Sequence, residues 1–189
     1  MQEHPEKRIF TIPNILSMFR FVLAFWFAWV YLHAQTVADY YFSAVLVVIS
    51  GFTDVIDGQI ARHFHMVTDL GKILDPVADK FTQGILALCL MSRYPLMRVL
   101  FVMFLLKETY MSIRGITVLK VSGVNRGALW FGKVNTVVLY GVMFFLIVLP
   151  NLEIHIVNVL ILFCMAVMLF AWIMYAVTYH KIIKESKKK

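Results

Sequence analysis

Four aspartates lie close together in the sequence, between two strongly apolar stretches: Asp54, Asp57, Asp75 and Asp79. The first two are three residues apart and the last two are four apart, so each pair would share one face of a helix. Four carboxylates gathered beside a membrane repel one another and are costly to desolvate. Hard divalent cations prefer oxygen ligands and would cancel that charge. The spacing therefore predicts a site for two metal ions, an arrangement suited to displacement at phosphorus.

Small and basic residues fill the space between the two aspartate pairs. Gly58 directly follows the first pair, and Ala61 lies about one helical turn further along. Residues this small would let a bulky ligand approach the backbone closely. Arg62 supplies a planar, permanently charged group that fits a phosphate, and Gly71 precedes the second pair. The whole stretch therefore predicts a phosphate-bearing ligand.

The full pattern of residues 54–79 is D-x2-D-G-x2-A-R-x8-G-x3-D-x3-D. It resembles, at every fixed position, the signature of the CDP-alcohol phosphotransferase family. The resemblance implies a CDP-linked lipid donor, most simply CDP-diacylglycerol, and two Mg²⁺ or Mn²⁺ ions. It implies that Asp54, Asp57, Asp75 and Asp79 bind the metal ions and that Asp79 is also the general base. The residues it assigns to the CDP-lipid are Gly58, Ala61, Arg62, Thr68 and Gly71. For Thr68, a helix cap is the alternative.

The acceptor alcohol is less well defined than the donor. D-P-V-A-D-K at residues 75–80 and G-K-x-x-T at residues 132–136 resemble the bacterial phosphatidylglycerophosphate synthase branch, which implies glycerol 3-phosphate. K-E-T-Y-M-S-I-R at residues 107–114 departs from that branch. Cardiolipin synthases of the same fold share D-P-x-A-D-K and use phosphatidylglycerol, and inositol phosphate also remains open. Lys107, Arg114 and Lys133 are predicted to bind the acceptor; for Lys107, an ordinary positive charge near the membrane surface is the alternative.

Pro13 and Asn14, followed by Arg20, form a second pattern near the start of the chain. It resembles the P-N-x-L/I-(S/T)-x-x-R opening of bacterial and mitochondrial-type members of the family. That resemblance implies a ligand contact for Asn14 or Arg20. The alternative for Arg20 is an arginine that extends from a membrane helix to the lipid headgroups.

Composition places these patterns in a membrane protein. Hydrophobic residues make up 61% of the 189 residues, charged residues make up 15%, and the mean hydropathy is +0.78. A soluble domain of this length could not bury so much apolar surface. We expect an all-α membrane protein with one domain over residues 1–189, an interfacial segment at 1–13 and a basic cytoplasmic tail at 180–189. The six transmembrane helices are predicted at about 15–32, 40–60, 76–93, 96–119, 134–149 and 156–179.

Basic residues predict how the chain is oriented. Lys and Arg concentrate at both ends and after the second and fourth predicted spans, although Arg93 and Arg98 fall on the other side. This pattern places both termini and the aspartates on the cytoplasmic face of the cell membrane. The net charge of +7 then favours membrane lipids as partners and argues against nucleic acid. The family resemblance also implies a homodimer.

Two other classes of protein must be weighed. A transporter could use the carboxylates as a cation relay, because such proteins commonly carry acidic groups in their membrane helices. The aspartates, however, cluster at one membrane interface, and Gly58, Ala61 and Arg62 would have no part in moving a cation. A catalytically silent membrane protein would have no reason to keep all four carboxylates. Both classes are less favoured than the transferase.

Overall fold

Six α-helices make up the part of the chain that the structure, a computed structural model, describes: residues 11–63, 68, 70–122 and 129–186. No strand occurs in those residues, so the predicted all-α class is confirmed. The helices are α1 (Ile12–Leu32), α2 (Val37–His63), α3 (Gly71–Leu90), α4 (Leu96–Ser122), α5 (Trp130–Val148) and α6 (Ile154–Ser186). Most of the predicted interfacial segment, residues 1–10, lies outside the described residues.

The start of α2 follows from its local sequence. The Asp39 carboxylate accepts hydrogen bonds from the backbone N–H of Thr36 at 2.8 Å and of Gln35 at 3.0 Å. The Thr36 hydroxyl in turn accepts a bond from the Asp39 N–H at 3.3 Å. This reciprocal arrangement satisfies N–H groups that have no partner within the helix. It ends the short connection after α1 and sets where α2 begins.

One predicted boundary is wrong. We expected the third helix to begin at Pro76, but α3 begins at Gly71 and contains Pro76. The Thr68 hydroxyl accepts a bond from the Gly71 N–H at 2.9 Å and so satisfies the first turn before the proline is reached. Residues 180–186 of the predicted basic tail continue α6, and their cytoplasmic position stays a prediction. No glycine or proline interrupts them, and lysine, isoleucine and glutamate allow a helix to continue.

The described chain divides into two compact units. The first comprises residues up to Arg93 together with Phe144–Pro150. Within it, α1 packs against both α2 and α3. Its apolar core is formed by fully buried side chains, among them Leu23, Ala24, Phe27, Leu46, Ala78, Leu86 and Leu90. This packing brings the polar ends of α2 and α3 to the same central helix, α1.

The second unit comprises Tyr94–Met143 and the residues from Asn151 onward. Here α4 packs against α6. Its core includes Met97, Leu100, Phe104, Val157, Ile161, Cys164, Met168 and Ala171. A smaller aromatic cluster joins the start of α5 to α6 through Phe131 and Tyr175, whose ring centroids are 4.6 Å apart.

The outer faces of the helices are apolar, as a lipid environment requires. Large side chains such as Trp29, Phe52 and Val137 are more than 60% exposed. Four helices are long and apolar enough to cross a bilayer: α1, α2 over Val37–Ile60, α5 and α6. The other two, α3 and α4, carry more charged residues. The structure therefore supports an all-α membrane protein, and the count of six spans stays a prediction.

Candidate functional site

Arg20 on α1 lies at the centre of the aspartate cluster. Its guanidinium is paired with Asp54, lies 3.2 Å from the Asp57 carboxylate and lies 3.7 Å from the Asp75 carboxylate. Because the Arg20 side chain is only 2% exposed, these contacts replace its contact with water. Neither sequence interpretation of Arg20 anticipated this arrangement. The arginine is not extended into solvent; it contacts three of the four predicted metal ligands.

Asp54 and Asp57 reach Arg20 from α2, and Asp75 reaches it from α3. The spacing of three residues places Asp54 and Asp57 on one face of α2, as the sequence predicts. Asp75 is further oriented by the hydroxyl of Ser17, which hydrogen-bonds to it from α1. The same hydroxyl lies 3.0 Å from the Pro13 carbonyl oxygen. Sequence reasoning missed Ser17, although it occupies the Ser/Thr position of the P-N-x-L/I-(S/T)-x-x-R pattern.

The four carboxylates differ in their exposure. Asp57 is 2% exposed, Asp79 is 26%, Asp75 is 39% and Asp54 is 49%. Asp57 therefore lies at the base of the cluster, and the other three can still reach a ligand from outside. The negative charge of Asp54 is also close enough to those of Asp75 and Asp79 to be repelled by them. The site is thus a cluster of acidic residues around one buried cation, the Arg20 guanidinium.

Asp79 has a setting of its own on α3. The Gln83 side-chain amide, one turn further along, donates a hydrogen bond to Asp79 Oδ2 at 3.0 Å. Lys80 Nζ lies 3.8 Å from the same oxygen. Gln83 is buried, so its amide holds this carboxylate in one orientation. The sequence signal for Gln83 was its spacing of four residues from Asp79, which the prediction did not use.

The donor atoms suit a divalent metal ion, although the described residues are not arranged as a finished metal site. Among them, no three side chains of His, Cys, Asp or Glu converge on one point as ligands. Asp54, Asp57 and Asp75 converge instead on the Arg20 guanidinium. Mg²⁺ and Mn²⁺ prefer oxygen ligands, and these carboxylate oxygens already surround a positive charge. The residues therefore fit the predicted ions.

Thr68 and Gly71 form a structural link to α1. The Thr68 hydroxyl is 3.1 Å from Asn14 Oδ1, and it also accepts the Gly71 N–H bond that begins α3. A Cβ atom at Gly71 would come within 2.8 Å of Asn14 Oδ1, so a larger residue there would push against α1. The capping alternative for Thr68 therefore accounts for its hydroxyl. A contact of Thr68 or Gly71 with the CDP-lipid stays a prediction.

Three other residues predicted to bind the CDP-lipid lie in the last turns of α2. Gly58 is partly exposed there, one residue after the buried Asp57. Ala61 and Arg62 belong to the same helix, and the positions of their side chains lie outside what the structure describes. The proposed phosphate contact of Arg62 stays a prediction for that reason.

The predicted acceptor residues have different environments within the second unit. Lys107 is buried, and its ammonium group lies 2.6 Å from the Glu108 carboxylate, which balances its charge. The Arg114 guanidinium is exposed and lies 5.9 Å from the centre of the Tyr110 ring. Lys133 is exposed in the first turn of α5. Arg114 and Lys133 are therefore accessible to an anionic ligand, whereas Lys107 already has an anionic partner.

Comparison with known proteins identifies one family over most of the chain. The profile of the CDP-alcohol phosphatidyltransferase family matches residues 10–178. A cardiolipin synthase (CMP-forming)/mitochondrial hydrolase fusion protein of Schizosaccharomyces pombe is 38% identical over 93 residues, which are 49% of this chain and 15% of that protein. A cardiolipin synthase (CMP-forming) of Streptomyces coelicolor is 36% identical over 75 residues, which are 39% of this chain and 35% of that protein.

A second group of relatives carries another name. The CDP-diacylglycerol–glycerol-3-phosphate 3-phosphatidyltransferase of Rickettsia bellii is 44% identical over 50 residues, which are 26% of this chain and 28% of that protein. In all three relatives, the aligned part covers 35% of the length or less. The relatives' names differ: two are called cardiolipin synthases that form CMP, and the third name contains glycerol 3-phosphate.

Proposed function

We propose, because the chain belongs to the CDP-alcohol phosphatidyltransferase family, that it transfers a phosphatidyl group from CDP-diacylglycerol to an acceptor hydroxyl and releases CMP. One observation carries this proposal: Asp54, Asp57 and Asp75 converge from two helices on the buried guanidinium of Arg20. Such an arrangement suits a diphosphate bound through metal ions. The apolar outer faces of the helices suit the diacylglycerol part of the donor.

The chain's own residues would perform the proton transfer. The acceptor oxygen forms a bond to the lipid-side phosphorus, and the bond from that phosphorus to the oxygen of CMP breaks. Asp79 takes the proton from the acceptor hydroxyl as its oxygen attacks. The Gln83 amide holds the carboxylate in place through its hydrogen bond to Asp79 Oδ2 at 3.0 Å. The 26% exposure of Asp79 gives the acceptor access to it.

The aspartates would hold Mg²⁺ or Mn²⁺. Asp54, Asp57, Asp75 and Asp79 supply the ligands, and two such ions, when bound, neutralise the charge of the diphosphate and of the departing CMP. Ser17 orients Asp75 by its hydrogen bond. We place this site at the cytoplasmic face of the cell membrane, because a soluble nucleotide joined to a lipid requires a site at a membrane surface.

Glycerol 3-phosphate is the acceptor that we propose first. The G-K-x-x-T pattern places Lys133 at the start of α5, where its exposed ammonium group can bind a phosphate. The D-P-V-A-D-K sequence at residues 75–80 agrees with this choice. The name of the Rickettsia bellii relative contains glycerol 3-phosphate.

Phosphatidylglycerol is the second candidate, and the extent of the alignments favours it. The two cardiolipin synthases align with 93 and 75 residues of this chain, compared with 50 residues for the Rickettsia relative. The reaction on the donor would be the same. A panel of acceptors therefore has to include both alcohols, together with inositol phosphate.

Release of CMP by the purified protein tests the proposed reaction. Full-length protein in detergent with CDP-diacylglycerol, Mg²⁺ or Mn²⁺ and each acceptor should release CMP with at least one acceptor. Asp79→Asn should lower the rate by at least about a hundredfold, because amide nitrogen and oxygen cannot accept the proton as a carboxylate does. Binding of CDP-diacylglycerol should persist in part.

Asp39→Asn is the matched control. It is the same chemical change in the first turn of α2, where the asparagine side-chain oxygen can still accept the Thr36 N–H bond, so CMP release should stay near that of the unaltered protein. No CMP from the unaltered protein with any acceptor would refute the proposed reaction. Full turnover by Asp79→Asn would remove Asp79 from the role of base and leave the class of reaction in place.

A further inference from the structure

A basic groove runs between α4 and α6 in the second unit. Its cavity has a volume of about 520 Å³ and is widely open. We call it the α4–α6 groove. Its lining residues are Tyr110, Arg114, Ala176, Val177, His180, Lys181 and Lys184. None of these is an acidic residue, so the groove presents positive charge and no negative charge of its own.

The cations of the groove have no anionic partner among the residues that the structure describes. Among the described residues, no ion pair joins Arg114, Lys181 or Lys184 to a carboxylate. Arg114 has only the face of the Tyr110 ring nearby, at 5.9 Å from its centre. Like charges brought together in one concave surface repel one another, and an anionic ligand relieves that repulsion. The groove therefore favours an anion.

The face of α6 that lines the groove is apolar in its earlier part and basic towards the end of the helix. Phe170, Ile173 and Val177 are exposed apolar residues spaced three and four apart, and they are followed on the same side by Lys181 and Lys184. From Ile173 to Lys184 the helix rises about 16 Å. An acyl chain placed along the apolar part would bring its headgroup to the cations. This match favours a lipid over a free anion.

We propose that the α4–α6 groove binds the phosphate headgroup of an anionic phospholipid, with an acyl chain along α6. Arg114 and Lys184 contact the phosphate from opposite walls, and Lys181 adds a third charge. Arginine and lysine bind phosphate through charge-assisted hydrogen bonds, which are stronger than hydrogen bonds between neutral groups. The site is formed wholly from residues of the second unit and requires no part of the aspartate cluster.

Binding of phosphatidic acid tests this site. Phosphatidic acid has the phosphate and the acyl chains and lacks an acceptor hydroxyl, so it reports binding and not turnover. Full-length protein in neutral detergent, without divalent metal ions, is titrated with phosphatidic acid or phosphatidylcholine and followed by native mass spectrometry. The unaltered protein should prefer phosphatidic acid. Lys181→Gln combined with Lys184→Gln should weaken its binding by about tenfold, because two charge-assisted contacts are lost.

Arg98→Gln combined with Lys120→Gln is the matched control, since it removes the same charge from exposed positions of α4 outside the groove. Phosphatidic acid should bind this variant as it binds the unaltered protein. Equal weakening in both double variants, or no weakening in the groove variant, would overturn the site. Displacement of phosphatidic acid by millimolar inorganic phosphate would overturn the lipid as its ligand. These measurements contain no CDP-diacylglycerol, so their failure leaves the proposed reaction untouched.

Discussion

A buried arginine among three carboxylates is the unusual feature of this protein at the scale of single residues. Arg20 carries one positive charge, and Asp54, Asp57 and Asp75 together carry more negative charge than it can balance. Burying charges is costly unless they are paired, so the excess has to be compensated by a further cation or by water. The partial exposure of Asp54 and Asp75 leaves room for either. Arg20 thus holds the acidic cluster together while leaving it able to attract metal ions.

Substitution of Arg20 tests this account. Without divalent metal ions, Arg20→Gln should lower stability by about 3 kcal/mol, because Asp57 keeps a buried charge that has lost its partner. In a protein of this length, that is a drop of roughly 6–12 °C in melting temperature. Mn²⁺ should restore much of the loss, since the carboxylates regain a cation. The measurement is thermal unfolding in detergent, in EDTA and in Mn²⁺.

The same substitution at an exposed site provides the comparison for Arg20. Arg98→Gln lies on α4, where its side chain is exposed, and should shift the melting temperature little in either condition. If Arg20→Gln were as stable as the unaltered protein in EDTA, the carboxylates would not depend on the guanidinium. If Mn²⁺ stabilised Arg98→Gln and Arg20→Gln to the same small extent, the aspartates would not bind the metal ion.

At the scale of helices, the start of α5 depends on one side chain from α6. The Tyr175 hydroxyl accepts a hydrogen bond from the Leu129 N–H at 3.2 Å, which satisfies a free donor at the helix end. The Tyr175 ring also packs so closely on Gly132 that a Cβ atom there would lie 2.9 Å from the ring carbons. Gly132 is therefore required by packing, and the position of Lys133 beside it follows from the same contact.

Two glycines on α5 allow a matched test of that requirement. Gly132→Ala should lower stability by about 1–3 kcal/mol, because the added methyl group overlaps Tyr175 in a packed cluster. Gly141→Ala should be neutral or slightly stabilising, because nothing lies within 4 Å of its Cβ position and alanine favours a helix. Thermal unfolding of both variants decides the matter. Equal stability of the two would show that Tyr175 moves aside freely.

Prediction from the sequence succeeded for helices with strong apolar patterns and failed at boundaries. The apolar run of α1 is a local feature, so the sequence alone defines it. The predicted start of α3 was wrong because proline is common in the first turn of a helix, which made Pro76 the expected first residue. The actual start, at Gly71, depends on Thr68, whose hydroxyl is also in contact with Asn14 on another helix. That contact cannot be inferred from neighbouring residues.

For the whole molecule, the number of membrane crossings depends on α3 and α4. Four helices qualify as spans by length and composition, whereas these two carry more charge. Charged residues near helix ends, or facing other helices, do not prevent a crossing. Their lengths of 20 and 27 residues are enough for a bilayer, which needs about 20 residues. We therefore keep the prediction of six spans, together with the predicted homodimer.

Labelling of the connection between α3 and α4 distinguishes six spans from four. Cysteine at Ser92, an exposed residue, should react with a membrane-impermeant thiol reagent added outside the cell if α3 and α4 both cross. If neither crosses, the cysteine of Ser92→Cys should react with the reagent only after the membrane is made permeable. Gln35→Cys should react in either case and Lys184→Cys in neither. The native Cys89 and Cys164 are buried, so their background labelling should be low.

The sequence by itself determined the helical class, the membrane environment, the family and the pairing of aspartates within each helix. These properties follow from composition and from spacings of three and four residues, which are local. Only the tertiary structure decided that Asp54 is paired with Arg20, 34 residues away, and that Asp75 is bound by Ser17, 58 residues away. Such contacts depend on which faces of α1, α2 and α3 pack together. Because many apolar faces could pack equally well in lipid, the pattern of single helices does not specify that choice.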